Sequence, residues 1–336
     1  MIWLPDATVD HLRAIAAWPE FTSDRYEVLD EIGRGGMGTV YAAFDHVLER
    51  EVAIKIGNAL PSSELQERLT REARVIARLE HPGIVPVHDV GMLADGRPFY
   101  VMKRVHGRTL QACIDAAEPV PERLRIFERV CEAVAFAHAH GIIHRDLKPA
   151  NVMVGTFGEA MVMDWGVARV LDGVPIASSS GDRTIAVAAQ HSATDAGTVL
   201  GTPGFMPPEQ VQNRGDVDER ADVYALGAML FAVLTGHAPP QGPAAALREI
   251  ECARTVPPPL QSICRCALSP GPDDRYQTVA ALAADVARYR ERLAVTVHKE
   301  RATERLARFV RTYQTPILLV LAYVAMRVAI AIFAGF

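Results

Sequence analysis

The hydrophobic pattern changes character once along this chain, and that change narrows the folds it can adopt. Over Tyr26–Arg104 apolar residues alternate in short runs separated by glycines and polar turns, as expected of strands, with one helical segment at Ser63–Leu79. Over Pro121–Leu293 apolar residues recur at helical spacing, apart from one short hairpin at Asn151–Met163. The pattern predicts an α+β protein with two lobes, a small β-rich lobe followed by a larger helical one.

Length and charge agree with a two-lobed globular body. At 336 residues the chain exceeds what a single hydrophobic core usually supports. The formal net charge is −5, and the lack of a basic surplus argues against nucleic acid as a partner. The five cysteines are odd in number and no secretory signal is recognisable, so we expect free thiols in a reducing compartment.

Pairs of cysteines and histidines could suggest a metal site, and we interpret them as structural. None of these pairs is accompanied by a second pair or a carboxylate cluster at metal-ligand spacing. The residues are Cys264 and Cys266, His81 and His88, and His138 and His140.

A glycine-rich run lies between the first two predicted strands. Gly33, Gly35 and Gly38 have a spacing that lets backbone N–H groups approach phosphate oxygens with no Cβ in the way. A dinucleotide-binding motif would need a helix directly after the glycines, whereas Thr39–Asp45 is strand-like. The run therefore favours a β-hairpin that covers phosphates, although a plain glycine-bearing turn would have the same pattern.

The apolar strand Val52–Lys55 ends in a lysine. Glu72 follows 17 residues later on the helical segment, off its apolar side. A lysine that binds nucleotide phosphates needs a carboxylate to fix its flexible stem, and Lys55 with Glu72 would supply that ion pair. The alternative is that Lys55 simply lies at an exposed edge of the sheet.

The most specific motif is His144–Asn151, followed by Asp164-Trp165-Gly166. Phosphoryl transfer from ATP depends on positioning and charge neutralisation more than on covalent chemistry. A carboxylate must orient the attacking hydroxyl, which suits Asp146. Oxygen ligands must hold Mg²⁺ against the phosphates, which suits Asn151 and Asp164. The order and spacing of these motifs predict an ATP-dependent phosphotransferase.

With these motifs, the stretch from about Asp24 to about Leu293 resembles the eukaryotic-like (Hanks-type) serine/threonine protein kinases, most closely their bacterial membrane-attached branch. The resemblance implies a bilobal protein-kinase-like fold that acts on protein serine and threonine hydroxyls. It also implies that ATP binds between the lobes with Mg²⁺, or with Mn²⁺ in its place. The implied ATP-binding residues are Ile32, Gly33, Arg34, Gly35, Gly36, Met37, Gly38, Val40, Ala53, Lys55, the gatekeeper Met102 and the hinge residue Val105. The implied catalytic residues are Lys55, Glu72, the base Asp146 and the phosphate-contacting Lys148, with Asn151 and Asp164 as magnesium ligands.

Downstream motifs extend the resemblance. Thr202–Glu209 resembles the segment that ends the activation loop and seats the substrate, and Glu209 with Arg275 matches a buried ion pair that braces it. Asp222 matches the residue that anchors the backbone of the catalytic loop. Lys148, two residues after the aspartate, is the serine/threonine form of the motif, and the threonine that opens the substrate segment, Thr202, matches its expected partner.

Three positions depart from the family pattern. Trp165 replaces the usual phenylalanine, Pro207 stands where alanine is commoner, and Lys103 occupies a hinge position that usually carries an acid. None of them removes a charge needed for transfer. A nucleotide-binding pseudokinase and a small-molecule phosphotransferase are the competing functions, disfavoured respectively by the intact charged motifs and by the substrate-seating segment.

A long loop between Asp164 and Glu209 predicts regulation by phosphorylation. It has 44 residues, and its middle part, 177–198, is rich in Ala, Ser, Thr and Gly. Arg145, directly before the catalytic aspartate, could pair with a loop phosphate. We expect autophosphorylation at Thr194 or Thr198, with Thr184 and residues 178–180 as weaker candidates, and a homodimer would allow the reaction in trans.

The C-terminal segment is first basic and then apolar. Residues 294–315 are helical in pattern and rich in arginine, and 317–336 are apolar except for Arg327. About 20 apolar residues can cross a bilayer, so we expect a single membrane-crossing helix, with the basic flank placing the kinase on the cytoplasmic side. The alternatives are an interfacial helix and a helix folded back on the kinase. The predicted divisions are an extension at 1–23, an N-lobe with hinge at 24–105, a C-lobe at 106–293, a basic juxtamembrane helix at 294–315 and a transmembrane helix at 316–336.

Overall fold

The computed structural model describes residues 19, 21, 24–35, 38–57, 63–170, 204–212, 217–300, 302–305 and 313–334. Some predicted features lie outside these residues. They are the extension at 1–23 apart from residues 19 and 21, Gly36 and Met37 of the glycine-rich run, and residues 178–180, Thr184, Thr194, Thr198 and Thr202 of the activation loop.

The N-terminal lobe is a five-stranded antiparallel sheet with one helix packed on it. Its elements are β1 (Tyr26–Gly35), β2 (Gly38–Asp45), β3 (Arg50–Gly57), α1 (Ser63–Ile76), β4 (Val87–Met92) and β5 (Pro98–Lys103), in the strand order β1-β2-β3-β5-β4. Alternate residues of a strand face opposite sides of the sheet. Val52 and Ile54 enter a cluster on the outer face, whereas Ala53 packs on the α1 side. Lys55, two residues after Ala53, therefore faces α1.

The C-terminal lobe is mainly helical. Its elements are β6 (Gly107–Thr109), α2 (Leu110–Asp115), α3 (Val120–Ala139), β7 (Ile142–Ile143), β8 (Val152–Gly155), β9 (Ala160–Val162), β10 (Arg169–Val170), α4 (Pro208–Val211), α5 (Arg220–Thr235), α6 (Pro243–Cys252), α7 (Pro258–Ala267) and α8 (Val279–Arg290). The predicted hairpin is β8–β9, which β6 extends to three strands. A β-sheet lobe followed by a helical lobe confirms the predicted fold class.

Helix α5 forms the centre of the C-lobe. Every residue of Ala221–Leu234 is buried, so the helix has no solvent-facing side over this stretch. Gly227 permits a close approach to α7, because a Cβ at this position would lie 2.7 Å from the Cβ of Ala267. The helix ends at Gly236, whose φ of 88° is a left-handed conformation that favours glycine.

The two lobes share one hydrophobic core behind the cleft. Leu69 and Ile76 of α1 belong to the same buried cluster as Phe127 and Val134 of α3. The backbone also joins the lobes there, since the N–H of Val162 in β9 donates to the carbonyl oxygen of Gly83 at 2.8 Å. The floor of the cleft is therefore a packed structure rather than a flexible connection.

The predicted basic helix at 294–315 is wrong for its first residues. Residues 293–300 have no helical structure and lie against the C-lobe. Val295 is buried, and the buried carboxylate of Asp285 in α8 accepts hydrogen bonds from the backbone N–H of Thr296 at 2.9 Å and from its hydroxyl at 2.5 Å. A buried acceptor in α8 thus holds a non-helical turn at 295–298 where pattern alone predicts a helix.

We name residues 294–298 the C-terminal strap. Its last residue, His298, has Nδ1 2.9 Å from the hydroxyl of Ser262 in α7. The strap therefore contacts both α7 and α8. The folded C-lobe continues past the predicted boundary at residue 293.

A last helix, α9 (Gln314–Ala334), lies in the segment predicted to cross a membrane. The side chains of residues 318–330 are exposed, and Arg327 is the one charged residue among them. Within the part of the chain that the structure describes, no helix is long and apolar enough to cross a membrane. The predicted membrane-crossing helix at 317–336 is therefore not confirmed.

Candidate active site

A buried ion pair joins β3 to α1. Lys55 Nζ lies 2.8 and 2.9 Å from the two carboxylate oxygens of Glu72, and the hydroxyl of Tyr100 in β5 donates to Glu72 Oε1 at 2.8 Å. Lys55 is 7% exposed and Glu72 2%, so each charge depends on its partner in place of water. The alternative position for Lys55, at an exposed sheet edge, is excluded.

The same ammonium group also contacts the C-lobe. Lys55 Nζ is 3.0 Å from Asp164 Oδ1. Asp164 has a φ of 59°, a conformation that is uncommon outside glycine, and its side chain extends toward Lys55. Burial acts to lower the pKa of Lys55 and to raise that of Asp164, but the opposite charges outweigh it. The net result is a raised pKa for Lys55 and a lowered pKa for Asp164, which keeps both charged at neutral pH.

The catalytic-loop motif brings three of the predicted side chains together. Asp146 Oδ2 lies 2.9 Å from Lys148 Nζ and 3.1 Å from Asn151 Nδ2. Asn151 Nδ2 also donates to the backbone carbonyl oxygen of Asp146 at 2.9 Å. Because both side-chain contacts use Oδ2, they fix the orientation of the carboxylate.

Asp222, in the first turn of α5, binds the backbone of this loop. It is fully buried, and its two oxygens accept the N–H groups of His144 at 2.8 Å and Arg145 at 2.9 Å. His138 Nε2 of α3 is a further partner at 2.8 Å. Burial alone would raise the pKa of Asp222, but the interactions with His138 and with the loop outweigh it, so the pKa is lowered.

The segment that precedes α5 is held by a second buried ion pair. Arg275 donates to both carboxylate oxygens of Glu209, at 2.7 and 2.9 Å. The remaining N–H groups of Arg275 donate to the backbone carbonyl oxygens of Ser269, Pro270 and Arg220, at 2.8 to 3.0 Å. This two-pronged contact fixes α4, which contains Glu209, against the C-lobe.

The predicted adenine pocket lies on the inner face of the sheet. Ala53 and Met102 are Cα neighbours on adjacent strands and both are buried, and Val40 is half-buried against the same core. Among the glycines of the loop that the structure describes, Gly38 is the one that close approach requires, since a Cβ there would lie 2.2 Å from the carbonyl oxygen of Ile56. Gly33 would meet no such obstacle.

Three further predicted nucleotide-binding positions lie in β1 and in the hinge. Ile32 of β1 is 49% exposed, Arg34 forms an ion pair with Glu31, and Val105 of the hinge is half-buried. The hinge itself is tied to β3, because Arg104 Nη1 lies 3.1 Å and His106 Nε2 2.9 Å from Glu51 Oε2.

Trp165, the substitution after Asp164, keeps the large apolar body at this position. Its ring is 1% exposed, lies 4.6 Å from the ring of His144 and belongs to the core shared by the lobes. Its indole N–H donates to the carbonyl oxygen of Val162 at 3.3 Å, so the added polar group has a partner.

Three contacts of the site were not predicted from the sequence. These are Tyr100 to Glu72, Lys55 to Asp164, and His138 to Asp222. The first was within reach of pattern reasoning, because Tyr100 and Met102 are two residues apart on β5 and so face the same side of the sheet. The other two join residues far apart in sequence, for which the motifs give no spacing rule.

Asn151 and Asp164 provide oxygen atoms of the kind that Mg²⁺ prefers. The amide nitrogen of Asn151 is already bound to Asp146, so its oxygen is the atom that would face a cation. Asp164 is about half-exposed, and its contact with Lys55 uses Oδ1. The donor set therefore fits a magnesium ion that completes its coordination with phosphate oxygens and water.

Comparison with known proteins defines the class to which this fold and site belong. The family model for the protein kinase domain matches residues 26–285, and the chain belongs to that family. Similar curated proteins include the serine/threonine-protein kinase PknD of Chlamydia caviae, 37% identical over 288 residues, and PknB of Mycolicibacterium smegmatis, 37% identical over 294. PknB of Mycobacterium tuberculosis is 38% identical over 291 residues. These matches agree with the predicted resemblance to bacterial Hanks-type kinases.

The matches cover most of this chain and a smaller part of each relative. They span 78%, 81% and 80% of the chain but 31%, 44% and 44% of the respective relatives. The chain thus spans less than half the length of these curated relatives.

Proposed function

We propose that this chain is a serine/threonine protein kinase that transfers the γ-phosphate of ATP to hydroxyl groups of protein substrates. The main support is the geometry of Asp146, whose carboxylate is oriented by Lys148 and Asn151 beside the Lys55–Asp164 ion pair. Lys148, which contacts Asp146, is also close enough to Asp164 for its positive charge to contribute to the lowered pKa of Asp164. Base, phosphate-binding cations and metal ligands therefore converge on one cleft.

In this mechanism each charged side chain has one task. Asp146 would orient the substrate hydroxyl and accept its proton, while Lys148 would bind the phosphate being transferred. Lys55, held by Glu72, would bind the inner phosphates, and Asn151 with Asp164 would hold Mg²⁺, or Mn²⁺ in its place. When bound, the metal neutralises charge on the phosphate oxygens.

The test is transfer of labelled γ-phosphate from ATP with magnesium, comparing the full chain with its Asp146→Asn form. We expect phosphoserine or phosphothreonine from the parent and a loss of at least about a hundredfold in the variant, since a general base contributes that much or more. Asp115→Asn, at an exposed carboxylate of α2, is the matched control and should keep the parent rate.

The main competing function is a pseudokinase that binds nucleotide without transfer. Nucleotide binding by the parent together with no transfer in either form would favour it and overturn the proposal. Transfer of phosphate to a small molecule but to no protein would favour a small-molecule phosphotransferase.

We also propose activation by autophosphorylation at Thr194 or Thr198. Its support is Arg145, which is half-buried and lies near Arg169 of β10; burial and this second cation lower the pKa of Arg145. A phosphate on the loop would offset that repulsion and form charge-assisted hydrogen bonds. Phosphopeptide mapping of active protein should find phosphate between residues 170 and 200, and its absence would contradict the proposal. A rate of autophosphorylation per chain that rises with protein concentration would indicate reaction in trans, between two copies of the chain that associate.

We further propose that the C-terminal segment attaches the kinase domain to the cytoplasmic face of the cell membrane. Its support is the row of exposed apolar side chains at 318–330 and the arginine-rich stretch before it. In cell fractionation the full chain should sediment with membranes and a form that ends at residue 305 should not. Recovery of the full chain in the soluble fraction without detergent would exclude attachment.

A further inference from the structure

The backbone of Arg145 has an unusual conformation directly before the proposed base. Its φ is 69°, in the left-handed region that a non-glycine residue seldom adopts without support. The N–H group of Arg145 donates to Asp222 Oδ1 at 2.9 Å. Its carbonyl oxygen accepts a hydrogen bond from Gln210 Nε2, also at 2.9 Å. The residue before Asp146 is thus held from both sides.

Gln210 comes from a part of the chain that is itself rigidly held. It lies in α4, where its backbone N–H donates to the carbonyl oxygen of Pro207 at 3.1 Å. Pro207 and Pro208 have restricted φ angles, and the next residue, Glu209, is fixed by Arg275. The side chain of Gln210 therefore reaches the catalytic loop from a segment with little freedom to move.

The contact depends on the amide nitrogen of Gln210. A carbonyl oxygen can only accept, so the group that faces it must be a donor. The opposite atom, Gln210 Oε1, is buried and has no hydrogen-bond partner among the described residues. Packing alone would not select a side chain that leaves a buried acceptor unpaired, whereas the donor role explains it.

We propose that Gln210 is a positioning residue for the general base. Its side chain fixes the peptide unit between Arg145 and Asp146, while Asp222 fixes the preceding unit, between His144 and Arg145. Gln210 would in this way transmit the position of the substrate-seating segment to the carboxylate. Asp222 supplies the restraint from α5 and Gln210 supplies it from α4. The inference rests on the proposed kinase function, and it adds a residue outside the catalytic motifs.

The first test compares Gln210→Ala with Gln212→Ala in the full chain. Gln212 is exposed and two residues away, so its variant is a matched control that should keep the parent kcat. For Gln210→Ala we expect kcat for phosphate transfer to fall about tenfold, because a small displacement of a reacting group has effects of this order. The KM for ATP should change less than twofold, since most of the proposed nucleotide contacts lie on the N-lobe and none is made by Gln210. Equal losses in kcat for the two variants would overturn the proposal.

The second test uses Gln210→Glu, which keeps the size of the side chain but has no donor when ionised. At pH 8 its kcat should resemble that of Gln210→Ala. As the pH falls, the new carboxyl is protonated and regains a donor, so the ratio of its kcat to that of the parent should rise. Neighbouring titratable or charged groups such as Arg145, Asp146, Glu209, Asp222 and Arg275 are present in both proteins, and the ratio removes their contribution. A purely structural role would give a ratio that does not rise.

Hydrogen exchange separates this inference from the proposed function. If the parent shows no transfer, the kinase proposal fails, and exchange of the amides of residues 145–147 still tests the restraint. Faster exchange there in Gln210→Ala than in Gln212→Ala would support it. A parent that transfers phosphate, with Gln210→Ala unchanged in both kcat and exchange, would leave the kinase proposal in place and exclude the role of Gln210.

Discussion

Asp222 combines full burial with a negative charge, and its lowered pKa connects that charge to the stability of the fold. A carboxylate whose pKa is lower in the folded than in the unfolded state stabilises the protein at a pH above the unfolded value. That contribution is lost as the pH falls from the unfolded value, near 3.8, toward the folded one. The catalytic loop therefore depends on one carboxylate that must stay ionised.

We predict that Asp222→Asn lowers the free energy of unfolding by about 2–3 kcal/mol at pH 7, the magnitude of hydrogen bonds to a charged acceptor. The difference from the parent should narrow as the pH falls below about 4, because the Asp222 carboxylate of the unfolded parent is then protonated while that of the folded parent is still ionised. Urea unfolding at several pH values measures both. Asp273→Asn, at a carboxylate that is 95% exposed, should change the free energy by less than about 0.5 kcal/mol at every pH. A difference that stays constant down to pH 3 would contradict the assignment.

For individual residues, the sequence best predicted those contacts of the site that join residues of the same short motif. The spacing of Asp146, Lys148 and Asn151 placed them in one loop, and the structure brings their side chains within hydrogen-bond distance. Contacts such as His138 to Asp222 were not predictable, because the packing of α3 against α5 sets them and sequence separation does not.

At the scale of secondary-structure elements, the position of α4 depends mainly on the side chain of Arg275. Arg275, with no exposed side-chain surface, donates to Glu209 and to the backbone carbonyl groups of three other residues. The planar guanidinium of arginine can donate to all of these separated acceptors at once, whereas the compact ammonium group of a lysine cannot. The position of the substrate-seating segment therefore requires arginine and not merely a positive charge.

We predict that Arg275→Lys lowers the free energy of unfolding by about 2–4 kcal/mol, because several buried acceptors lose their donors. It should also raise the KM for a peptide substrate, since α4 loses its anchor. Arg265→Lys is the control: that side chain is 57% exposed and should change stability by less than about 0.5 kcal/mol. Denaturant midpoints of the two variants measure the effect, and equal midpoints would exclude this role of Arg275.

Pattern reasoning located most elements but misjudged one of them. The strands β1 to β5 and the mainly helical C-lobe follow from the spacing of apolar residues, which is a local signal. The stretch after α8 has helical periodicity, yet Asp285 accepts a hydrogen bond from the backbone of Thr296 and holds it in a turn. Tertiary hydrogen bonds of this kind override local preference.

For the whole molecule, the C-terminal strap decides where the folded body ends. The predicted boundary at residue 293 would leave Val295 out of the core and remove three donors to Asp285, two from Thr296 and one from Val297. We predict that a form ending at Leu293 is about 3 kcal/mol less stable than one ending at Arg305, because a valine loses its burial and the Asp285 carboxylate keeps the Tyr276 hydroxyl but loses its donors from the strap. Thermal unfolding of the two forms measures this, and identical midpoints would show that the strap is dispensable.

The order of the helices along the chain has a consequence for how the protein is made. The buried helix α5 leaves the ribosome before α7 and α8, two of the helices that cover it, and before the strap that completes the lobe. Some 60 residues separate the end of α5 from the end of the strap, a delay of about 3–12 s at ordinary rates of synthesis. Throughout that interval the apolar side chains of α5 are not yet buried by the helices and the strap that pack on them in the folded protein. Newly made chains should therefore be most prone to aggregate, and most dependent on chaperones, at this point of translation.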